Sequence, residues 1–324
     1  MLSKFYKRKF NINPKILIFI QDAVFINLIF APHIFSLVFK YHLFLNHFYD
    51  IIFIASLTLC LLSIYGAFIE PNIVITKHIR FNIRDLKERI RIVFFSDLHI
   101  GPFKKSSFIN RITDTINKLN PDLILIGGDF ITGRYETFKY LKPLKNLGAK
   151  YPTLAVIGNH DYDMDLPFEK PYYKIANSLV SYLKTLNIKV LRNCSEQIKI
   201  KYNILNIIGI DDLWSGKVNI EKAFSKINSK YPIIVLTHNP DTVKHISNNK
   251  TDLILAGHTH GNTFRFFTIP LCPFIRNIKL SSKFLKGFQN YYNKKIYISS
   301  GVGECFTRMR FIGNFPEIIV LDLK

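Results

Sequence analysis

The chain repeats one pattern, in which a short and continuously apolar run ends in a cluster of polar residues. Such runs occupy 90–95, 123–126, 154–157, 233–236 and 253–256. Apolar runs of this length, rich in β-branched residues, predict strands that are covered on both faces. Between them, 106–119 has apolar residues at helical spacing and stops before Pro121, and 174–186 is similar. The alternation predicts β-α-β units and therefore an α/β fold.

After Cys194 the pattern becomes richer in strands. Further strand-like segments occur at 197–200, 204–210, 295–299 and 317–323. We interpret these segments as a second sheet packed on the first. The expected fold is therefore two packed mixed β-sheets flanked by helices.

Each buried run is followed by side chains that bind metals. In chain order they are Asp97 and His99, Asp129, Asn159 and His160, His238, and His258 and His260. Asp, Asn and His suit Mn²⁺, Fe²⁺ or Zn²⁺. A strand holds a ligand rigidly, and open α/β sheets bind ligands beyond the carboxyl ends of their strands. The pattern therefore predicts a site for two metal ions at one edge of the sheet.

A single cluster of this kind is weak evidence, because a Gly-Asp or Asn-His pair after a strand is typical of an ordinary turn. Gly257-His258-Thr259-His260 is more specific, since packing poorly explains two histidines two residues apart between glycines. The five clusters together favour a metal site. Asp211 and Asp212, which follow 204–210, are interpreted as a turn and left out of the site.

In order, the motifs Asp-x-His, Gly-Asp, Gly-Asn-His-Asp, His and Gly-His-x-His resemble those of the calcineurin-like metallophosphoesterases. The resemblance covers residues 90–324. Ile69-Glu70-Pro71, the segment 297–303 (Tyr-Ile-Ser-Ser-Gly-Val-Gly) and Pro316-Glu317-Ile318 look most similar to the membrane-associated bacterial branch. Some members of that branch resemble UDP-2,3-diacylglucosamine pyrophosphatases of lipid A synthesis.

The resemblance implies a role for each motif. It implies two divalent ions with seven ligands: Asp97, His99 and His260 for the first, Asn159, His238 and His258 for the second, and Asp129 for both. Mn²⁺ is favoured, with Fe²⁺ or Zn²⁺ as alternatives. Two such ions lower the pKa of a shared water, so that hydroxide can attack phosphorus near neutral pH. His160 would assist the leaving group, and Asp161 would orient the His160 imidazole.

The first 70 residues differ in character from the rest. Residues 51–69 carry no charge over 19 positions, close to the roughly 20 that cross a bilayer, and predict a transmembrane helix. Residues 16–39 are also apolar but contain Asp22 and His33, which predicts a weaker span or an interfacial helix. The expected organisation is a membrane anchor over 1–70 and a metallophosphoesterase domain over 71–324.

Basic residues flank both apolar stretches, and Lys40 is the only lysine or arginine between them. Basic flanks are usually cytoplasmic. Two spans with both ends inside satisfy that rule, whereas one span leaves a basic flank on the wrong side. We therefore expect an inner-membrane protein with a cytoplasmic catalytic domain.

The net charge of +21 suits an anionic membrane surface. It would also suit nucleic acid, but no basic run or nucleic-acid motif follows Arg91, and the charge also fits a composition typical of AT-rich codons. We expect membrane lipids as partners, and neither nucleic acid nor a protein partner. The four cysteines, Cys60, Cys194, Cys272 and Cys305, suggest no disulfide framework.

The working hypothesis is a membrane-associated two-metal hydrolase of phosphoester or pyrophosphate bonds. Its substrate would be a phosphorylated small molecule or a lipid nucleotide, such as UDP-2,3-diacylglucosamine, which yields acylated glucosamine 1-phosphate and UMP. Two alternatives remain open: a nuclease or cyclic-nucleotide phosphodiesterase of the same fold, and a non-catalytic metal-binding scaffold. The scaffold ranks last, because every ligand position of the motif is filled.

Overall fold

A computed structural model describes residues 33–34, 36–37, 47–101, 104–132, 135–247, 251–261, 265–266, 269–270, 280, 282–304, 310 and 313–324. From residue 47 onward this part of the chain contains four α-helices: α1 (His47–Ile64), α2 (Ser106–Lys118), α3 (Tyr173–Thr185) and α4 (Ile220–Phe224). A π-helix (Tyr65–Ile69) and a 3₁₀ turn (Glu70–Asn72) follow α1. The helices predicted over 106–119 and 174–186 are therefore confirmed to within one residue at each end.

The same part of the chain contains fourteen strands: β1 (Ile75–Phe81), β2 (Ile90–Phe95), β3 (Leu123–Ile126), β4 (Thr153–Ala155), β5 (Ile188–Val190), β6 (Cys194–Ile200), β7 (Asn203–Gly209), β8 (Ile233–Leu236), β9 (Leu253–Ala256), β10 (Arg265–Phe266), β11 (Ile269–Pro270), β12 (Gly287–Tyr291), β13 (Lys294–Ile298) and β14 (Glu317–Leu323). Each of the five apolar runs that predicted a buried strand forms one.

The strands form two six-stranded mixed sheets and one small hairpin, β10-β11. The first sheet has the order β1-β14-β2-β3-β4-β5, in which only the β14–β2 pair is antiparallel. The second has the order β12-β13-β9-β8-β7-β6, with antiparallel pairs at both edges. The prediction of an α/β fold with two mixed sheets is confirmed.

The sheets pack face to face across one apolar layer. Phe94 and Leu125 of the first sheet share a buried cluster with Ile207 and Leu255 of the second. Helices α2 and α3 cover the outer face of the first sheet, and a third cluster, which includes Phe284, covers the outer face of the second. Covering on both faces explains why the central strands are continuously apolar.

One strand lies in a different sheet from the one predicted. Residues 317–323 were expected in the second sheet, but β14 lies in the first, between β1 and β2. All seven of its residues are buried, so its pattern records burial and not the identity of its neighbours. Because residues 317–323 follow other strands of the second sheet along the chain, they were expected to join it, but position along the chain was a poor guide to which sheet a strand joins.

The prediction that the metal-binding residues share one sheet edge also needs correction. The loops after β2, β3 and β4 belong to the first sheet, whereas those after β8 and β9 belong to the second. The residues meet where the carboxyl ends of both sheets come together. A sandwich of two sheets can surround an ion from two sides, which one sheet edge cannot do.

Helix α1 and the π-helix that follows it occupy the predicted span over 51–69. No helix in the described part of the chain combines the length and the apolar character needed to cross a membrane. The span predicted over 16–39 lies outside the described residues, apart from 33–34 and 36–37.

Candidate active site

Backbone hydrogen bonds draw the polar loops of both sheets together. The Asp97 N–H donates to Gly128 O at 2.9 Å, and the His99 N–H donates to Asp129 O at 3.0 Å. Between the sheets, the His258 N–H donates to Asp97 Oδ1 at 3.0 Å. Hydrogen bonds within the protein therefore hold the polar loops of the two sheets together without a metal ion.

Most of the predicted ligands have an unusual backbone conformation. Positive φ angles between 45° and 72° occur at Asp97, His99, Asp129, His258 and His260. Residues other than glycine seldom adopt this region, although Asp and His do so more often than most. Such backbone strain clusters at functional sites, where the surrounding structure maintains it.

The first group of ligands, which we call the Asp97 cluster, consists of Asp97, His99 and His260. The two imidazoles face each other, with Nε2 atoms 2.9 Å apart. Asp97 Oδ1 lies 3.9 Å from His99 Nε2 and 3.6 Å from His260 Nε2. All three side chains are buried, and their donor atoms lie close enough together to hold one metal ion.

The second group, which we call the His238 cluster, consists of Asp129, His238 and His258. His238 Nε2 lies 3.1 Å from Asp129 Oδ2 and 3.2 Å from His258 Nδ1. Asp129 Oδ2 is also 3.4 Å from His99 Nε2, which belongs to the Asp97 cluster. Asp129 therefore lies between the two clusters, as a ligand shared by two ions must.

Asn159 gives an independent indication that the site fits a cation. Its side-chain amide donates to Met164 O at 2.7 Å, while the buried Oδ1 has no hydrogen-bond partner among the described residues. A buried acceptor without a donor costs about 1 to 3 kcal/mol. The Asn159 N–H₂ contact fixes the amide so that Oδ1 remains available, and a divalent ion would satisfy it. Carboxylate, imidazole and amide donors together fit Mn²⁺, Fe²⁺ or Zn²⁺.

The electrostatics of the clusters also suit a cation. Burial alone would lower the pKa of His238, but Asp129 outweighs burial and raises it to about 10. Burial lowers the pKa of His99 to about 3, so this imidazole is neutral and able to bind a metal. Burial raises the pKa of Asp97 to about 6. A divalent ion would supply the positive charge that Asp129 otherwise draws onto His238.

His160 lies beside both clusters without belonging to either set of predicted ligands. Its ring is 4.8 Å from that of His99, at an interplanar angle of 81°. The carboxylate next to His160 is Asp165, whose Oδ1 is 3.2 Å from His160 Nδ1. Sequence reasoning missed Asp165, because its distance from the motif carries no signal of contact.

Asp161 does not perform the orienting role that was predicted for it. Its Oδ1 accepts from the N–H groups of Phe130 and Ile131 at 2.9 and 3.1 Å, and its Oδ2 accepts from Gly158 N–H at 2.9 Å. The carboxylate is thus occupied by backbone donors of two site loops. Asp161 holds the loop after β3 against the loop after β4, and Asp165 takes the place beside the imidazole.

Asp212, which was interpreted as part of a turn, does serve one: its Oδ2 accepts from the Ser215 N–H at 2.9 Å. The residue is also fully buried, and its Oδ1 has no hydrogen-bond partner in the described structure. Burial raises its pKa to about 7, and the charges of His238 and Asp129 act on it. Two residues later, the Trp214 ring meets the His258 ring edge-on, with centroids 4.7 Å apart.

The comparisons with known proteins agree with this geometry. Residues 90–262 match the model of the family described as calcineurin-like phosphoesterase, which is more than half of the chain. The chain belongs to the calcineurin-like phosphoesterase family. The predicted family resemblance is therefore confirmed, and the family match spans all five polar clusters.

Several curated proteins are similar to this chain. An uncharacterised metallophosphoesterase of Helicobacter pylori is 30% identical over 247 residues, which cover 74% of this chain and 60% of that protein. A UDP-2,3-diacylglucosamine pyrophosphatase, LpxG of Chlamydia trachomatis, is 27% identical over 82% of this chain and 96% of its own length. The phosphodiesterase YaeI of Escherichia coli is 29% identical over 80% of this chain and 92% of its own. The family and these names support a metal-dependent hydrolase.

Proposed function

We propose that this protein hydrolyses phosphoester or pyrophosphate bonds with two divalent ions, of which Mn²⁺ is the first choice. The observation that carries the proposal is the position of Asp129, whose Oδ2 lies 3.4 Å from His99 Nε2 of the Asp97 cluster and 3.1 Å from His238 Nε2 of its own cluster. When bound, two such ions acidify a water and stabilise the charge on the phosphoryl oxygens. The ligands would be those that the family resemblance implies, with Asn159 Oδ1 among them.

The chain's own residues would handle the leaving group. With His160 Nδ1 beside Asp165, Nε2 is the nitrogen that would donate a proton to the departing oxygen. Asp165 would fix the tautomer and the orientation of the ring, as carboxylates commonly do for a working histidine. General acid catalysis of this kind contributes about 10² to 10⁴ in rate. We assign the catalytic role to His160 and the orienting role to Asp165.

For the substrate we propose a lipid nucleotide of the UDP-2,3-diacylglucosamine type. Support comes from the chlamydial relative, which bears that activity in its name and aligns over nearly its whole length. The products would be acylated glucosamine 1-phosphate and UMP.

We also propose that the protein works at the cytoplasmic face of the inner membrane. Ile51, Ile54 and Leu61 of α1 each expose more than half of their surface, and such a face suits the apolar boundary of a lipid layer. The excess of basic residues suits an anionic leaflet. Fractionation of wild type against Ile54→Glu tests the idea, because the charge should shift the protein from the membrane pellet to the supernatant. An unchanged distribution would refute a role for this face.

The experiment that tests the reaction is Mn²⁺-dependent hydrolysis by detergent-purified protein. Bis-p-nitrophenyl phosphate and UDP-2,3-diacylglucosamine would be compared for wild type, Asp129→Ala and His160→Ala. We expect turnover that requires metal, is lost in Asp129→Ala and falls by 10² or more in His160→Ala. Turnover of the generic diester alone would retain the chemistry and refute the lipid substrate. If the protein binds two ions and hydrolyses neither substrate, the proposed hydrolase activity would be refuted.

A further inference from the structure

The segment between α1 and β1 packs against the loops that carry the Asp97 cluster. We call this segment, Tyr65–Asn72, the junction. It contains the Ile69-Glu70-Pro71 motif, to which the proposed reaction gives no role. Gly66, Glu70 and Pro71 are buried, although the helix before them exposes much of its apolar surface. Burial of a glutamate at this point calls for a partner.

The backbone of the junction leaves one carbonyl available for a contact outside the helix. In a π-helix each N–H bonds to the carbonyl five residues earlier, and the Glu70 N–H donates to Tyr65 O in this way. The next carbonyl, Gly66 O, would pair with residue 71, but Pro71 has no N–H. Gly66 O accepts instead from the backbone N–H of Arg310 at 2.9 Å. The proline therefore makes the junction bind a distant loop.

Two further contacts join the junction to the site loops. Glu70 Oε1 accepts from the backbone N–H of Asn314 at 2.6 Å, and Pro71 O accepts from Lys104 Nζ at 2.9 Å. The Asn314 side-chain amide then donates to the backbone carbonyl of His260 at 2.7 Å. Only two hydrogen bonds thus separate Glu70 from a residue of the Asp97 cluster.

The contact at His260 bears on a strained position. His260 has a φ of 50°, which a residue other than glycine holds only when its surroundings enforce it. Asn314 bonds to the carbonyl of that same residue, and it is fully buried. Loss of the bond would let the backbone relax and turn the imidazole away from Asp97.

Arg310 acts on the other side of the Asp97 cluster. Its buried guanidinium donates to Ser300 O at 2.8 Å, to Gly301 O at 3.2 Å and to Gly303 O at 2.7 Å. This loop lies directly against Asp97: Gly303 N–H donates to Asp97 O at 2.7 Å, and a Cβ at Gly301 would come within 2.6 Å of Asp97 Cβ. Arg310 therefore holds in place the 300–303 loop that packs against Asp97.

We propose that the junction is a working part of the metal site, in which Glu70 and Asn314 are positioning residues for His260 and Arg310 is a positioning residue for Asp97. All three would act through hydrogen bonds to the protein: Glu70 to the Asn314 N–H, Asn314 to His260 O, and Arg310 to the carbonyls of the loop against Asp97. The inference rests on the proposed function, because it concerns the same ions. It gives the Ile69-Glu70-Pro71 motif a physical role that is separate from any contact of α1 with lipid.

Asn314→Ala tests the inference, with Asn203→Ala as a matched control. Asn203 is, like Asn314, a buried asparagine whose side-chain amide donates to a backbone carbonyl, that of Glu88 at 3.0 Å, and its Oδ1 accepts from Lys87 N–H at 2.7 Å. It lies near the opposite ends of the strands, away from both clusters. Both variants lose one buried amide, so both should lose a similar amount of thermal stability.

Metal binding separates the two variants. Full-length protein in detergent would be titrated with Mn²⁺, with Trp214 fluorescence reporting on the His238 cluster and electron paramagnetic resonance reporting on paired ions. We expect Asn314→Ala to lower the affinity for one of the two Mn²⁺ ions by about 10- to 100-fold, as loss of a supporting contact usually does. The Trp214 fluorescence titration should be unchanged. Asn203→Ala should bind both ions as wild type does.

Glu70 supplies a rescue test. Glu70→Gln keeps an oxygen that can accept from the Asn314 N–H, whereas Glu70→Ala removes it, so we expect near-normal affinity in the first variant and the Asn314→Ala defect in the second. The positioning role would be overturned if Asn314→Ala bound Mn²⁺ as tightly as wild type, or if Asn314→Ala and Asn203→Ala lost the same Mn²⁺ affinity. Either result would leave the proposed function intact. Wild-type protein that fails to bind two ions would overturn the proposed function as well.

Discussion

Replacing Gly158 by alanine should weaken metal binding by steric overlap alone. Gly158 has φ −111° and ψ −177°, an extended conformation that any residue adopts, so alanine adds no backbone strain. An added Cβ would overlap Asp129 Oδ1 and would lie 2.6 Å from His238 Cδ2. One methyl group therefore meets two residues of the His238 cluster at once, including the carboxylate that both ions share.

The size of the effect follows from the overlap. Carbon atoms normally make contact at about 3.5 Å, so His238 or the Gly158 backbone must move by about 1 Å. A displacement of that size at a functional group costs on the order of 10²-fold in rate. Overpacking of this kind also costs about 1 to 3 kcal/mol of folding free energy. We therefore expect a folded variant that binds Mn²⁺ more weakly than wild type and hydrolyses the generic diester about 10²-fold more slowly.

The assay uses the single tryptophan of the chain, Trp214, whose ring is 4.7 Å from that of His258. Mn²⁺ is paramagnetic and should quench its fluorescence, which gives a binding curve without substrate. Gly148→Ala is the control, because its Cβ would lie 3.3 Å from Asn117 Oδ1, on an exposed surface away from both clusters. A folded Gly158→Ala protein that binds two Mn²⁺ ions with wild-type affinity would refute the steric reasoning.

Three further predictions follow from single contacts. Asp165→Asn should lower kcat on the generic diester by about 10- to 100-fold with an unchanged Mn²⁺ titration, because it removes only the carboxylate beside His160; equal kcat values would contradict its orienting role. Trp214→Phe should remove the Mn²⁺-dependent fluorescence change, while calorimetry still detects binding; a change that persists would mean that tyrosine emission produces it. Burial raises the pKa of Asp322, but hydrogen bonds from Arg89 and Arg91 outweigh burial and hold it below the usual value. Asp322 therefore adds stability above about pH 4, and this stability is lost as the pH falls further. Asp322→Asn should lower the unfolding temperature at pH 7 and match wild type near pH 2. A difference in unfolding temperature that persists at low pH would contradict this role of Asp322.

Much of the fold could be predicted because burial leaves a direct mark on the sequence. The runs that became β2, β3, β8 and β9 are apolar at every position except Arg91, whose guanidinium reaches Asp322 at 3.0 Å from the end of β2. Only a strand covered on both faces tolerates such a run. Helices α2 and α3 show the helical period equally clearly. These features are local, so the sequence alone is sufficient for them.

The features that could not be predicted depend on which way a side chain turns. Asp161 and Asp165 are both acidic and both close to His160, and the nearer one in sequence was chosen to orient the ring. In the structure the Asp161 carboxylate caps three backbone N–H groups, which leaves the orienting place to Asp165. A sequence specifies that two groups are near each other along the chain, but a 3₁₀ turn over Asn159–Tyr162 decides which of them faces the imidazole.

Asp212 shows a second limit of the sequence, because one of its carboxylate oxygens caps a turn while the other is buried without a partner among the described residues. Turns and metal sites draw on the same residue types, because Asp and Asn accept hydrogen bonds from backbone and also bind cations. Backbone conformation alone does not separate the two, because positive φ occurs at the site histidines 99, 258 and 260 and also outside the site, as at Asn187 and Asn193. Glycine then provides the room, since a Cβ at Gly257 would overlap Asp97 Oδ2 and one at Gly301 would crowd Asp97 Cβ. Room around Asp97, made by Gly257 and Gly301, and the buried hydrogen bonds of Asn314 and Arg310 to the site loops are therefore what separates this site from an ordinary turn, and neither is visible in the ligand types alone.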